Sequence, residues 1–262
     1  MQLVKFCKPE HNIHQGAKLR VGTLHEYRSI ENSELRDEAE GKYEFTIEFR
    51  GEVELDRRWA NLLFQNIVGF GNTDSTPRFP GKISAKVEHL HMVEQKGENV
   101  VIKDTTAKIY REIPDCLIFC MSLLTKVDEM LFKDYQDNWN FPQEKANKFA
   151  MHIANLIMEQ TKLTDFDDSI SEGNSPNSIK GLHVNAMHRE VIYQDRHLVI
   201  TQQNMPSFEK FTEILLNIPF IKPPEPYSKE KEYRFVFELR NQERLFQPKS
   251  FILIPLNPLL EL

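Results

Sequence analysis

The sequence predicts an α+β fold in which a twisted, mostly antiparallel sheet is flanked by helices. Three observations lead there. Strand alternation is clear in "KYEFTIEF", where Tyr43, Phe45, Ile47 and Phe49 share one face. Helical periodicity is clear in "EKANKFAMHIANLIMEQ", where Ala146, Phe149, Ala150, Ile153, Leu156 and Ile157 form one apolar stripe. Strands and helices are interspersed, and hairpin-like pairs dominate late in the chain.

The elements follow in order. After the strand at Tyr43, Val53 and Leu55 resume its parity beyond Gly51, which predicts a bulge or bend. "WANLLFQNIVGF" predicts a short amphipathic helix, and residues 69–81 a turn-rich loop. "KISAKVEHLHMV" reads as a strand and "CLIFCMS" as a buried one. Residues 165–178, acidic and turn-rich, read as a loop that could gate a site. "EVIYQDRHLVIT" predicts a hairpin with "QDR" near its turn. Ser207 is placed to cap a helix through about Asn217, carrying Phe208, Phe211, Ile214, Leu215 and Ile218 inward. "PFIKPPEPY" ends it, and the strands "EYRFVFEL" and "SFILIPL" follow. No linker divides the chain, so a single domain over residues 1–262 with inserted loops and helices is expected.

Composition narrows the function. The 262 residues are 40% hydrophobic and 27% charged, an ordinary globular balance. No apolar run approaches the ~20 residues that cross a bilayer, and "MQLVKFCKPEHN" lacks the apolar core of a secretory signal. A cytoplasmic protein without a membrane partner is expected. The net charge of -6 argues against tight, non-specific duplex binding. A local basic groove stays open, from "DRRW" at 56–59 with Lys229, Lys231 and Arg234. Cys7, Cys116 and Cys120 are too few and too widely spread for a disulfide framework.

Three stretches carry candidate chemistry. In "YSKEKEYRFVF", Glu230 and Glu232 open a strand two residues apart, where a strand would put both on one face and make them repel. A site that must hold positive charge gives a reason for such a pair; an exposed strand start neutralised by nearby lysines is the plainer reading. In "LRVGTLHEYRSIENSELRDEAEG", Gly22 permits close backbone approach, Arg20 offers a fork that fits a pyrophosphate, and Tyr27 could stack on a flat ring. The plainer reading is a solvated helix with pairs such as Arg28 with Glu31 or Glu34. Ser122, just past "CLIFCM", either ends a buried strand or orients a carboxylate.

The order arginine, serine, Glu-x-Glu resembles the ADP-ribosyltransferase superfamily. "EKEYRFVF" looks like its Glu-x-Glu before an apolar strand, and "LRVGT" like its first NAD-contacting strand. "FCMS" matches only in part, because the family's Ser-Thr-Ser is absent. Over about residues 18–237 the chain is also similar to a bacterial phage-defence family that includes the mRNA-modifying toxin of toxin–antitoxin–chaperone systems. The resemblance implies an ADP-ribosyltransferase-like fold, NAD as cofactor, and mono-ADP-ribosyl transfer by a toxin or antiviral effector. It implies a macromolecular acceptor, RNA before protein, and an antitoxin protein as partner. It assigns Glu232 to a ribose hydroxyl, Glu230 to the incoming nucleophile as general base, and Ser122 to positioning Glu232. Arg20, Gly22, Thr23, Tyr27 and Arg28 would bind the cofactor, with Arg20 on the pyrophosphate and Tyr27 on the nicotinamide.

Rival readings are weaker. A metal-dependent nuclease would use Asp115, but no Glu-x-Lys follows on the next strand. His11, His14, His89 and His91 lack the spacing of a structural zinc site. A non-enzymatic defence sensor or interaction module would suit the acidic 165–174 loop and the net charge.

Overall fold

A computed structural model describes residues 1–16, 18–29, 37–64, 79–127, 131–162, 165–167, 181–241 and 244–255. The fold is mixed α and β, about 46% strand and 26% helix, with a curled antiparallel sheet. The chain forms two compact units. The first comprises Met1–Glu40, Asp115–Tyr193 and Pro224–Leu262; the second comprises Gly41–Pro114 and Gln194–Pro223.

Fifteen strands are described. β1 (Gln2–Cys7) and β2 (Leu19–Thr23) open the first unit. β3 (Lys42–Asp56), β4 (Lys82–His89), β5 (Met92–Lys96) and β6 (Asn99–Glu112) belong to the second. β7 (Leu117–Leu124), β8 (Asp137–Pro142), β9 (His183–Glu190) and β10 (Ile192–Tyr193) return to the first. β11 (His197–Ile200) and β12 (Ile221–Lys222) are in the second, and β13 (Glu232–Arg240), β14 (Leu245–Phe246) and β15 (Ile252–Ile254) complete the first.

In the first unit, β13 pairs antiparallel with β7 and with β9. The remaining edge of β7 is shared. β1 takes its Ser122–Leu124 end and β2 its Leu117–Ile118 end. The sheet therefore splits between β1 and β2, beside residues 119–121. Alternation gives each strand a core side. Phe119, Met121 and Leu123 of β7, Tyr233, Phe235 and Phe237 of β13, and Leu19 and Val21 of β2 join one buried apolar cluster. The helix α2 (Ala146–Gln160) closes that cluster with the predicted stripe, Phe149 meeting Phe235 edge-on at 5.0 Å between ring centres. Cys120, Ser122, Glu232, Arg234, Arg20 and Gly22 consequently fall on the opposite face.

In the second unit, β3 and β6 form a long antiparallel pair. Its register slips between Phe49 and Glu52, at the predicted bend; Gly51 adopts φ 70°, and its N–H donates to Asp104 Oδ1 at 2.8 Å. Trp59 of α1 (Arg57–Phe64) stacks on Phe211 of α3 (Phe208–Leu216) at 4.4 Å. Ser207 caps α3, its hydroxyl accepting from Lys210 N at 3.3 Å.

Three expectations need correction. The segment 190–201 is not a hairpin: β11 runs parallel to β3, anchored where Thr46 N donates to Arg196 O at 2.7 Å. The open edge of a long buried strand outcompetes a local turn. The strand expected through residues 82–93 breaks between His89 and Met92, and both pieces pair with β6. The arginines of "DRRW" do not line a groove: Arg57 pairs with Glu98, and Arg58 with Asp56 and Glu209. The helix beyond Phe64, residues 69–78 of the next loop, Glu31 and Glu34, and residues 168–178 lie outside the described residues. No described helix is long and apolar enough to cross a membrane.

Candidate active site

The polar face of the first unit's sheet is built by register. Glu232 stands opposite Ser122, and Arg234 opposite Cys120. Leu123 N donates to Lys231 O at 2.8 Å, so the next rung, Ser122 with Glu232, is a non-hydrogen-bonded one. Such rungs bring Cα atoms to about 4.5 Å and side chains closest together. On its other edge Glu232 is held by its backbone, donating N–H to the Tyr193 hydroxyl at 3.0 Å and accepting from Val191 N at 2.9 Å.

Glu232 is buried, and so is its main partner. Arg234 Nε donates to Glu232 Oε1 at 2.6 Å, while Nη2 reaches Oε2 at 3.3 Å. The fork of the same guanidinium is taken by Glu40, Nη1 to Oε1 at 2.7 Å and Nη2 to Oε2 at 2.8 Å. Arg234 is only 1% exposed. Burial works against its charge, but Glu232 and Glu40 outweigh burial and hold its pKa well above the usual arginine value. Arg234 is thus no member of a basic groove; it is the centre of a buried Glu–Arg–Glu triad.

The early stretch meets the same face. Gly22 pairs with Ile118 on β7, and Arg20, two residues earlier with the parity of Gly22, lies where β2 leaves β7 and pairs with Leu253 of β15. Arg20 ion-pairs with Glu26, and its guanidinium lies 4.2 Å from the centre of the Phe251 ring. After β2 a short 3-10 turn, His25–Arg28, swings Tyr27 back over Gly22. A Cβ on Gly22 would lie 3.4 Å from Arg20 Nη1, Glu26 Oε2 and Tyr27 Cε2, so the missing side chain lets these groups close over the strand. Burial raises the Tyr27 phenol's pKa well above normal, and the Glu232 carboxylate adds to the rise.

The turn bearing Tyr27 is strapped to the triad. Asp37 N donates to Tyr27 O at 3.1 Å, and Arg28 Nε donates to Glu40 O at 2.6 Å. Lys5 serves the split in the sheet. Cys120 belongs to a non-hydrogen-bonded rung with β13, so its carbonyl points to the split edge, where Lys5 Nζ donates to it at 2.9 Å. Lys5 also lies 4.8 Å from the Phe119 ring centre, and burial lowers its pKa.

Arg20, Gly22, Tyr27, Ser122 and Glu232 therefore share one neighbourhood. Thr23 and Arg28 have local duties: the Thr23 hydroxyl accepts from Glu26 N at 3.2 Å, and Arg28 holds Glu40. Glu230 does not share a strand face with Glu232. It ends a 3-10 turn, Ser228–Glu230, and Lys231 at φ 46° breaks the alternation before β13 begins. The strand geometry that would set the two acids on one face therefore does not extend to Glu230. Glu40, Arg234 and Lys5 were missed as site residues. Arg234 was legible, since it lies two residues beyond Glu232 and so on the same face. Asp115, the acid of the nuclease reading, accepts from His25 N at 2.8 Å and Cys116 N at 2.9 Å, binding the β2 turn to the start of β7.

No protein-family model matches the chain, and neither a curated protein nor a solved structure matches it.

Proposed function

We propose that the chain is an NAD-dependent mono-ADP-ribosyltransferase with an ADP-ribosyltransferase-like first unit, acting as a bacterial toxin or anti-phage effector. The observation that carries this reading is a buried carboxylate, Glu232, facing the Ser122 hydroxyl on a sheet face that also bears Arg20 and Tyr27. Cleaving the nicotinamide–ribose bond sends the bonding electrons to nicotinamide and leaves an oxocarbenium-like sugar. A fixed carboxylate stabilises that cation more than it stabilises neutral ribose. Glu232 would accept a hydrogen bond from a ribose hydroxyl and face this charge. Arg20, which already binds one carboxylate, has the fork to hold the pyrophosphate. Tyr27 would cover the nicotinamide. Glu230, in the turn before the strand, is assigned to the acceptor side as the base that takes the nucleophile's proton.

The proposed acceptor is RNA, with an antitoxin protein as regulator. Incubation with labelled NAD and a cell lysate tests this. Label in RNA is the expected result; label in protein or DNA would reassign the acceptor, and no label with no nicotinamide released would end the transferase reading. A second reading, a non-catalytic interaction module, draws on the triad itself, because Arg234 already neutralises much of Glu232.

A further inference from the structure

We infer that Glu26 is a specificity-determining residue of this site: its carboxylate occupies the seat that a diphosphate would take on Arg20, and a ligand must displace it to bind. The inference rests on the transferase reading, which assigns Arg20 to the pyrophosphate and leaves Glu26 without a role. The seat is built over Gly22. A Cβ there would lie 3.4 Å from both Arg20 Nη1 and Glu26 Oε2, so the pair closes directly over the bare glycine. Arg20 Nη2 donates to Glu26 Oε1, and Thr23 N donates to Oε2 at 3.4 Å. The carboxylate thus sits where phosphate oxygens would meet the same guanidinium fork.

The two partners are held differently. The Arg20 guanidinium lies 4.2 Å from the centre of the Phe251 ring, a contact that does not involve Glu26. The guanidinium therefore keeps a support when the carboxylate leaves. Both side chains are open to water, Arg20 at 41% and Glu26 at 30% exposure, so the pair can part without stranding a buried charge. A diphosphate brings two negative charges to the fork and gains more there than one carboxylate does. A singly charged anion gains little by the exchange, so the resident carboxylate selects for the diphosphate. Lys5 and Tyr27 both lie within electrostatic reach of Arg20 and Glu232. These groups act alike on wild type and on a Glu26 variant, so comparing the two reads the exchange at the fork.

The test is calorimetry with ADP-ribose, which carries the diphosphate without nicotinamide. Glu26→Gln keeps the side chain's length and removes its charge. It should bind ADP-ribose about threefold to fivefold more tightly, the size of an exposed ion pair that no longer has to be broken. Its melting temperature should stay close to wild type. Glu26→Ala should shift the affinity in the same direction. Removing the partner should erase the effect: in an Arg20→Ala background, Glu26→Gln should change ADP-ribose affinity by less than about twofold. Unchanged or weaker binding by folded Glu26→Gln and Glu26→Ala would overturn the inference. So would an equal gain in the Arg20→Ala background, which would mean a general field effect, and so would ADP-ribose that binds neither wild type nor Glu26→Gln. A gain confined to the Arg20 background, with no nicotinamide released from NAD, would remove the transferase reading and keep the competition at Arg20.

Discussion

Glu232 and Ser122 face each other across a non-hydrogen-bonded rung of an antiparallel pair, on the side of the sheet turned away from the aromatic core. Ladder geometry therefore sets how close the carboxylate and the hydroxyl sit, without relying on a loop. Ser122→Ala removes the hydroxyl opposite the carboxylate and should lower the rate of nicotinamide release by about tenfold, a change of about 1.4 kcal/mol in the barrier. NAD affinity should stay near wild type. Stopped assays of released nicotinamide, with NAD binding followed by calorimetry, check both.

Arg20 is partly exposed and bound to Glu26. Such a pair adds at most about 1 kcal/mol to stability, so Arg20→Ala should melt close to wild type. If Arg20 holds the pyrophosphate, NAD should bind about tenfold or more weakly, with a smaller change in the bond-breaking step. Separate measurement of KM and kcat reads the split.

Arg234→Ala should be far more costly to the fold. It leaves two buried carboxylates without their shared cation, a loss of about 3–5 kcal/mol. Urea unfolding measures it. A loss under about 1 kcal/mol, the size of an exposed pair, would mean that the triad opens readily to water.

His188 gives a pH-dependent prediction. Its Nδ1 lies 2.7 Å from the Tyr233 hydroxyl, and burial lowers its pKa below the usual histidine value. The unfolded chain therefore takes up this proton before the folded one does. The contribution to stability is full above about pH 6.5, the unfolded value, and is lost as pH falls through the lower folded value. His188→Gln should flatten that part of the stability curve between about pH 7 and 5, read from urea midpoints.

Gly81 sits at φ 86°, and a Cβ there would lie 2.4 Å from Glu112 O and 2.8 Å from Pro114 Cδ. Nearby, buried Arg111 donates to the carbonyls of Pro80, Lys82 and Glu112, locking the backbone that would have to move. Gly81→Ala should destabilise the protein by more than about 1 kcal/mol, measured by thermal melting.

Periodicity made the sheet's main strands legible. The stripe of α2 and the bend at Gly51 are local signals, and both appear in the fold. Long-range choices were hidden. Nothing in "RHLVIT" announces that β11 would run parallel to β3, because the competing partner lies some 150 residues earlier in the chain. β9 carries only a faint alternation, Val184 and Ala186 turned to the core, and β13 offers it the edge that makes it a strand. At the site, the common face of Arg20, Ser122 and Glu232 followed from parity once strands were paired, whereas Tyr27 is brought there by the 3-10 turn after β2. Glu40 could not be placed that way, since it reaches Arg234 from a turn and has no strand register. Glu230 was misplaced by assuming that β13 starts earlier; a left-handed Lys231 is invisible to a pattern of apolar residues.

The central claim is that Glu232 stabilises the sugar cation formed as NAD splits. Glu232→Gln preserves the side chain's shape and its capacity to accept from Arg234. Single-turnover release of nicotinamide should fall by about a hundredfold or more in that variant, the size of losing a major electrostatic stabiliser, while the melting temperature and NAD affinity stay near wild type. A folded Glu232→Gln protein that releases nicotinamide at close to the wild-type rate would contradict the account.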